Sequence, residues 1–316
     1  MDPSLRFQRT LPSWQTLWVA DSPISSVLDR LGPWPARVTW FVLPVLVGPA
    51  VSSGLDDRSG AVQVVAEIML WVTWFAGLVC LLAPSTVSLT LYRLIAPAPI
   101  VAVIAVAVTS DVSTAQLVIA ALAAGLSTAV AFLPLTGDVM VNGSAYGPER
   151  RLALRTPGPL LLGPILLAWL ALAGTAVAGP LLMASGNWIA GLPLTLAAAG
   201  LGYAVGRSMH QLSRRWIVFT PAGLVIHDYF VLAESILLRR QDIAELGPAP
   251  SEPRGTIDLS AGALGLALQI EAKEPLSIVV RNGRSAAATD TVRMIFSPSL
   301  PGKLLREARV RGITVS

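Results

Sequence analysis

Residues 61–83 read AVQVVAEIMLWVTWFAGLVCLLA, an unbroken apolar run in which Glu67 is the single charged side chain. A helix needs about 20 mostly apolar residues to cross the hydrocarbon core of a bilayer, and this stretch meets that length. Five further runs can be read outward from it, at about 38–55, 87–109, 114–135, 159–184 and 187–206. The first carries Pro44 and Pro49, and the third carries Pro97 and Pro99 with Arg93 near its start. Proline removes a backbone donor, so these two helices are expected to kink or to borrow partners from their neighbours. The third reads alternatively as a re-entrant segment, which would leave five spans instead of six.

Composition supports lipid as the solvent for this region. Of 316 residues, 53% are hydrophobic and 13% charged, against roughly a quarter charged in soluble domains. Residues 38–206 hold 11 charged side chains, whereas the shorter stretch 207–316 holds 24. The fold class is therefore a polytopic helical membrane bundle of about six spans followed by a small C-terminal β-domain. Its parts are an N-terminal segment at 1–37, a transmembrane domain at 38–206 and a water-exposed domain at 207–316. Cys80 is alone, which excludes an intramolecular disulfide and any cysteine-based metal cluster. No cleavable signal peptide is expected, because the lead before the first apolar run is far longer than a basic n-region.

Arginine placement sets the orientation. Arg6, Arg9, Arg30, Arg37, Arg93, Arg150, Arg151, Arg155, Arg207, Arg214 and Arg215 fall on one face, and Arg58 alone on the other. Positive charge favours the cytosolic side, which places both termini inside a multi-pass protein of the inner (plasma) membrane. The net charge of +4 is then a consequence of topology and needs no nucleic-acid partner. In the lead, Ser22-Pro23 reads as a helix start and Gly32-Pro33 as a stop. Ile24, Val27, Leu28 and Leu31 repeat at helical spacing between them, with Trp14, Trp18 and Trp34 nearby. That pattern predicts an interfacial helix on the inner leaflet, or one packed on the cytosolic domain. Gly202 and Gly206 form a GxxxG pair, read as intrachain packing or as a seam for a homo-oligomer.

Past Trp216 the periodicity turns from helical to alternating. Residues 216–219 and 224–226 flank the turn Thr220-Pro221-Ala222-Gly223, and Leu264, Leu266, Leu268 and Ile270 alternate with smaller or polar residues. Further strands are expected at 235–238, 256–259, 277–281 and 292–296, with a tight turn at Asn282-Gly283. A final helix is expected with Ser299 as cap, Pro301 in its first turn, an apolar stripe of Leu304, Leu305 and Ala308, and Gly312 at the stop.

The run Arg215-Trp216-Ile217-Val218-Phe219-Thr220-Pro221-Ala222-Gly223-Leu224-Val225-Ile226 resembles the opening hairpin of the bacterial PH-like domains. Ile236-Leu237-Leu238 followed by Gln241-Asp242-Ile243, and Ser297-Pro298-Ser299-Leu300-Pro301 leading into a helix, resemble later parts of the same family. The likeness covers about residues 208–316. It implies a barrel or curled sheet closed by a terminal helix, serving as a lipid- or protein-binding platform without catalysis. Lipid-binding members place Lys and Arg in the first turn, and here Thr220 to Gly223 offers none. Arg214, Arg215, Arg239 and Arg240 are instead the candidates for contact with an anionic membrane surface.

Catalytic chemistry has little to work with. Glu67 and Arg93 are the intramembrane ionisable residues, expected toward opposite leaflets. Arg93 is expected to snorkel to headgroups, while Glu67 is a candidate for protonation, for pairing with Arg58 or for lining a polar path. His210 and His227 have no ligand-spaced partners, so no metal site is expected. His227-Asp228 reads as a surface strand pair, and no nucleotide-cradling glycine motif occurs in a strand–helix context. No catalytic residue and no cofactor is assigned. The inner loop 136–157, with Asp138, Glu149, Arg150, Arg151 and Arg155, reads as a docking surface for the tail. Three functions follow in order: a non-enzymatic scaffold that engages membrane lipid or a membrane-associated protein, a small transporter using Glu67, and a lipid-modifying enzyme binding headgroups through the loop arginines.

Overall fold

The computed structural model describes residues 31–251, 255–282 and 285–316. It contains six helices long and apolar enough to cross a membrane: α1 (Trp34–Leu55), α2 (Gly60–Leu82), α3 (Thr86–Thr109), α4 (Thr114–Phe132), α6 (Gly158–Ala184) and α7 (Trp188–Ser213). A short helix, α5 (Pro134–Asn142), lies between the fourth and fifth of these. The third run is thus a helix of spanning length, broken at Ala96-Pro97. The N-terminal helix expected around residues 24–31, with Trp14 and Trp18, lies outside the described residues apart from its last position.

The prolines are accommodated as lipid demands. Pro44 cannot donate to Trp40 O, the carbonyl four residues earlier. The indole Nε1 of Trp74 donates to that oxygen instead at 3.2 Å, while Trp40 Nε1 donates to Trp74 O at 2.8 Å. The indoles of α1 and α2 thereby lock the two helices together and satisfy a backbone group freed inside the membrane. Gly77 makes room for this, because a Cβ there would run into the buried Trp40 ring. In α3 the break falls at Ala96-Pro97, and Thr128 Oγ1 of α4 donates to Ala96 O at 2.9 Å. Fully buried Ala120 and Ala124 let α4 sit deep among its neighbours.

α6 and α7 form a close antiparallel pair. The Cα face of Gly179 lies against the Thr195 backbone, and that of Gly191 lies against Gly179 O and Met183. Gly202 and Gly206 are looser, meeting Leu172 and Leu94 of the same chain at ordinary contact distance. These contacts are the intrachain packing read for the GxxxG pair.

Beyond the bundle, β1 (Arg150–Ala153), β2 (Trp216–Thr220), β3 (Gly223–His227) and β4 (Ile236–Arg239) form one antiparallel sheet in that order. A second sheet has the order β5, β7, β8, β6, from β5 (Ile243–Pro248), β6 (Ile257–Asp258), β7 (Leu268–Asn282) and β8 (Ser285–Phe296). Between the sheets lies a core that includes Ile217, Phe219, Leu224, Ile226, Leu246, Ile270, Met294 and Phe296. The terminal helix α8 (Pro301–Val310) plugs it with Leu304, Leu305 and Ala308 and stops at Gly312, whose φ is 73°.

Several boundaries differ from the pattern reading. α7 continues to Ser213, with Met209 and Leu212 buried on one side and His210 Nδ1 3.2 Å from Thr90 Oγ1 of α3. β1 comes from the loop between α5 and α6, so the β-domain is not confined to 207–316. The alternation at 264–270 is a strand only from Leu268; before it Gly262 and Gly265 take φ of 73° and 117°, values that break a ladder. Residues 268–270 and 277–281 merge into the single strand β7, whose register shifts between Glu271 and Leu276 around Pro275. Ser299 does not cap α8; its N–H donates to Ala153 O, tying the helix start to β1. The Asn282-Gly283 turn falls partly outside the described residues.

Two glycine variants separate tight from loose helix packing. Gly179→Ala sets a methyl against the Thr195 backbone and is expected to cost about 1–3 kcal/mol as an overpacking change. Gly202→Ala is expected to be neutral or slightly stabilising, since alanine is the better helix former by about 1 kcal/mol. Thermal unfolding in detergent checks both, and equal losses would contradict the packing described.

Candidate functional site at the junction of bundle and sheet

The junction is built from two ion-paired nodes. The first begins immediately after α7. Arg215 is 1% exposed and Asp228, just past β3, is 0% exposed. Arg215 Nε donates to both carboxylate oxygens at 2.9 Å, and its Nη2 lies 2.8 Å from Oδ2. The remaining donors reach Arg155 O at 2.9 Å and Leu259 O at 3.3 Å, while Asp228 Oδ1 accepts from Phe230 N–H at 3.1 Å. One guanidinium thus joins the last membrane helix, the first sheet, the 150s loop and the second sheet. A buried pair of this kind stabilises little against an apolar replacement, but its loss on one side leaves an uncompensated charge.

The second node is Asp138 of α5, with a side chain 5% exposed. Its Oδ2 lies 2.8 Å from Arg150 Nη2 and 2.9 Å from Lys303 Nζ of α8. Asn142, one helical turn on, donates to Arg151 O at 2.7 Å and accepts from Arg151 N–H at 2.9 Å, clamping β1 onto α5. Above these polar contacts Met140 and Val141 of α5 pack with Leu89 of α3 and with Trp216 and Val218 of β2. A cleft of about 330 Å³ opens beside the node, lined by Gly32, Pro84, Leu135, Asp138, Arg150 and Lys303 among others.

This arrangement places the loop arginines. Arg150 is held by Asp138; Arg151 reaches Glu149 at 3.4 Å and lies over the Trp216 ring; Arg155 donates to Pro298 O and Leu264 O. All three serve the seating of the β-domain, as the docking reading of the loop anticipated.

The other sequence candidates divide. Arg215, read as a membrane-surface contact, is corrected: it is buried in the node above. His227-Asp228, read as a surface pair, is corrected as well. Asp228 is fully buried, and His227 stacks on Trp216 with ring centres 5.2 Å apart, with its Nδ1 2.9 Å from Ser235 Oγ. Arg214 and Arg239 are exposed. Arg240 is also exposed and donates to Arg311 O at 3.3 Å, beside a hollow of about 120 Å³ at the Thr220–Gly223 turn. Arg93 is corrected from snorkelling: it folds inward, donating to Ala131 O at 3.3 Å near the C-terminus of α4, with its guanidinium against Gly137 and over Phe132. Cations are favoured at that helix end. Glu67 stands exposed on the outer face of α2, and Arg58 donates to Thr109 O at 2.7 Å instead of to Glu67. Glu67 and Arg93 are not brought together. Among the described residues no group of three or more metal-capable side chains assembles.

Pattern reading missed Asp138 and Lys303 as partners and Asp228 as a buried acid. Asp138 and Asn142 sit one helical turn apart, a signal legible beforehand; nothing local marks Lys303 or Asp228. No protein-family model, curated protein or solved structure matches this chain.

Two outcomes test the junction. Asp228→Ala leaves Arg215 buried and unpaired and is expected to cost the β-domain about 3–5 kcal/mol. Limited proteolysis should then cut within 216–316 while the bundle stays inserted. The second concerns pH. Burial, followed by nearby Arg214, lowers the His227 pKa from its ordinary 6.5, against a smaller upward pull from Asp228. The folded protein therefore binds this proton less readily than the unfolded chain. Its contribution is complete above about pH 6.5 and is lost as pH falls through that range. His227→Gln should flatten the acid side of a stability–pH profile, and an unchanged slope would count against the cause given.

Proposed function

We propose that this protein is a non-enzymatic platform of a bacterial plasma membrane, in which the helical bundle holds a cytosolic PH-like module that binds a membrane-associated protein or lipid. The observation that carries the reading is the junction. The β-domain takes strand β1 from the loop between helices and is clamped by Asp138 and Arg215, so it is a seated module and not a tethered one. Two sheets around an apolar core, plugged by a terminal helix, support the PH-like assignment. Orientation rests on charge. Arg37, Arg93, Arg150, Arg151, Arg155, Arg207 and Arg214 lie toward the end bearing the β-domain, and Arg58 toward the other. The transporter alternative loses support from Glu67, which faces outward.

Cysteine labelling tests the orientation, since native Cys80 is buried. With a membrane-impermeant maleimide on intact cells, Ser59→Cys is expected to react and Glu274→Cys to react only after the membrane is opened. The reverse pattern overturns a cytosolic module. The platform itself is tested by cross-linking and capture from membranes, comparing the intact chain with Asp228→Ala. A partner lost with the damaged β-domain supports the reading; the same partners recovered with both variants overturn it.

A further inference from the structure

The long hairpin of the second sheet leaves one edge open. Beyond the register shift, β7 and β8 pair from Leu276 with Thr291 outward, through Val279 with Ala288, to Arg281 with Ala286. β7 is flanked on its other side, where Ala233 N–H donates to Val279 O at 2.9 Å and Arg281 N–H donates to Val231 O at 2.7 Å. β8 is flanked only near its end, where β6 pairs with Met294 and Ile295. Residues 286–290 are exposed, and among the described residues no strand lies on their outer side.

The bonds to the 231–233 segment fix which groups point outward. In an antiparallel ladder a residue turns its N–H and C=O to the same side, and successive residues alternate. Val279 and Arg281 turn theirs away from β8. Their opposite residues Ala288 and Ala286 therefore turn theirs away from β7, and Asp290 follows by alternation. Ala286, Ala288 and Asp290 thus present a row of backbone donors and acceptors. Such an edge is ordinarily guarded by lysine, proline or a bulge. Residues 286–289 read Ala-Ala-Ala-Thr, and the register shift of this hairpin falls outside them.

The charges beside the edge indicate what completes it. Directly paired residues share a face, so Ser277 with Asp290, Val279 with Ala288 and Arg281 with Ala286 form three rows on one face of the hairpin. Arg281 and Asp290 are exposed, and neither side chain takes an ion-pair partner among the described residues. A second β8 laid antiparallel, with Ala288 opposite Ala288, sets Asp290 of the second copy beside Ala286. Arg281 is next in that row. Its Cα and that of Asp290 in the second copy then stand about 10 Å apart with only a methyl group between them, within reach of the two side chains. The middle row becomes Val279, Ala288, Ala288, Val279. The edge therefore complements itself, charge against charge and apolar against apolar.

We propose that the outer edge of β8 is the seam of a two-fold homodimer, in which two copies of this chain join their second sheets through the backbone of Ala286, Ala288 and Asp290. The contact is isologous, the same strand serving both sides. The axis relating two antiparallel edge strands is perpendicular to their sheet. The hairpin turns Ile278 into the core, and the first sheet closes that core on the bundle side, through Trp216 and Val218. The axis therefore runs toward the membrane, as two chains inserted in the same direction require. The inference goes beyond the platform reading and stands whichever partner the platform binds.

The test uses the full chain in membranes, where native Cys80 is buried. Opposed residues of a bonded antiparallel pair have Cα atoms about 5.5 Å apart, within disulfide range. Ala288→Cys is therefore expected to give a reducible dimer on mild oxidation. Ala286→Cys, whose two copies would stand about 14 Å apart, is expected to remain monomeric. Cross-linking of both alike would signify random collision and overturn the proposal. Ala288→Pro removes an outward N–H and leaves the ladder to β7 intact, so the fold should hold while native mass spectrometry shows the dimer lost. Asp290→Arg should weaken dimerisation on the order of 10-fold, and Arg281→Asp/Asp290→Arg should restore it, a rescue that a merely damaged hairpin would not give. A wild-type chain that is monomeric throughout, or a charge swap without rescue, would overturn the seam. Loss of a captured partner in Ala288→Pro from a monomeric wild type would assign the edge to a different protein and overturn it too.

Discussion

A single guanidinium stands where the chain leaves the membrane. Arg215 is separated from the end of α7 by one residue, and burying it is tolerable because each guanidinium nitrogen finds an oxygen: two on Asp228, one on Arg155 and one on Leu259. The carbonyls of Arg155 and Leu259 belong to segments far apart in sequence, so this guanidinium ties the 150s loop and the second sheet to the end of the last helix. The remaining junction follows from that placement. With Arg155 O held, β1 can pair with β2; with β1 in place, Arg150 reaches Asp138 and Lys303 joins it from α8.

The bundle answers a different demand, that backbone groups freed by proline find partners without water. Trp74 and Thr128 meet it at Pro44 and near Pro97 with side chains from adjacent helices. The prolines thereby become points of helix–helix contact, and α1 to α4 are bound to one another by polar bonds as well as by dispersion. α6 and α7 use the other device, glycines that admit a neighbouring backbone. Of the two intramembrane charges, Arg93 is held inward against the end of α4 and Glu67 is turned outward.

For function, the consequence is mechanical. A domain that shares a strand and two buried acids with its membrane anchor moves with that anchor. Polar groups at the junction are largely consumed in holding it together, which leaves the outer surfaces as the places where other molecules meet the protein.

Much was legible from residues alone. The spans, the arginine bias, the strand runs at 216–219 and 224–226 and the terminal helix all depend on local periodicity, because the solvent around each segment selects side chains in its immediate neighbourhood. The docking of loop 136–157 was legible in outline for the same reason, as a polar loop beside a water-exposed domain. What local pattern does not carry is the partner of a charge. Arg215 looked like a positive flank of a membrane helix until Asp228 closed on it, and Arg93 looked free to reach headgroups until the end of α4 received it. Strand β1 was similarly hidden, since four residues in a loop become a strand only when β2 offers its edge. Sequence determined which parts live in lipid and which in water; tertiary structure decided which charges are buried, because an ion pair is set by distance in space and not by spacing along the chain.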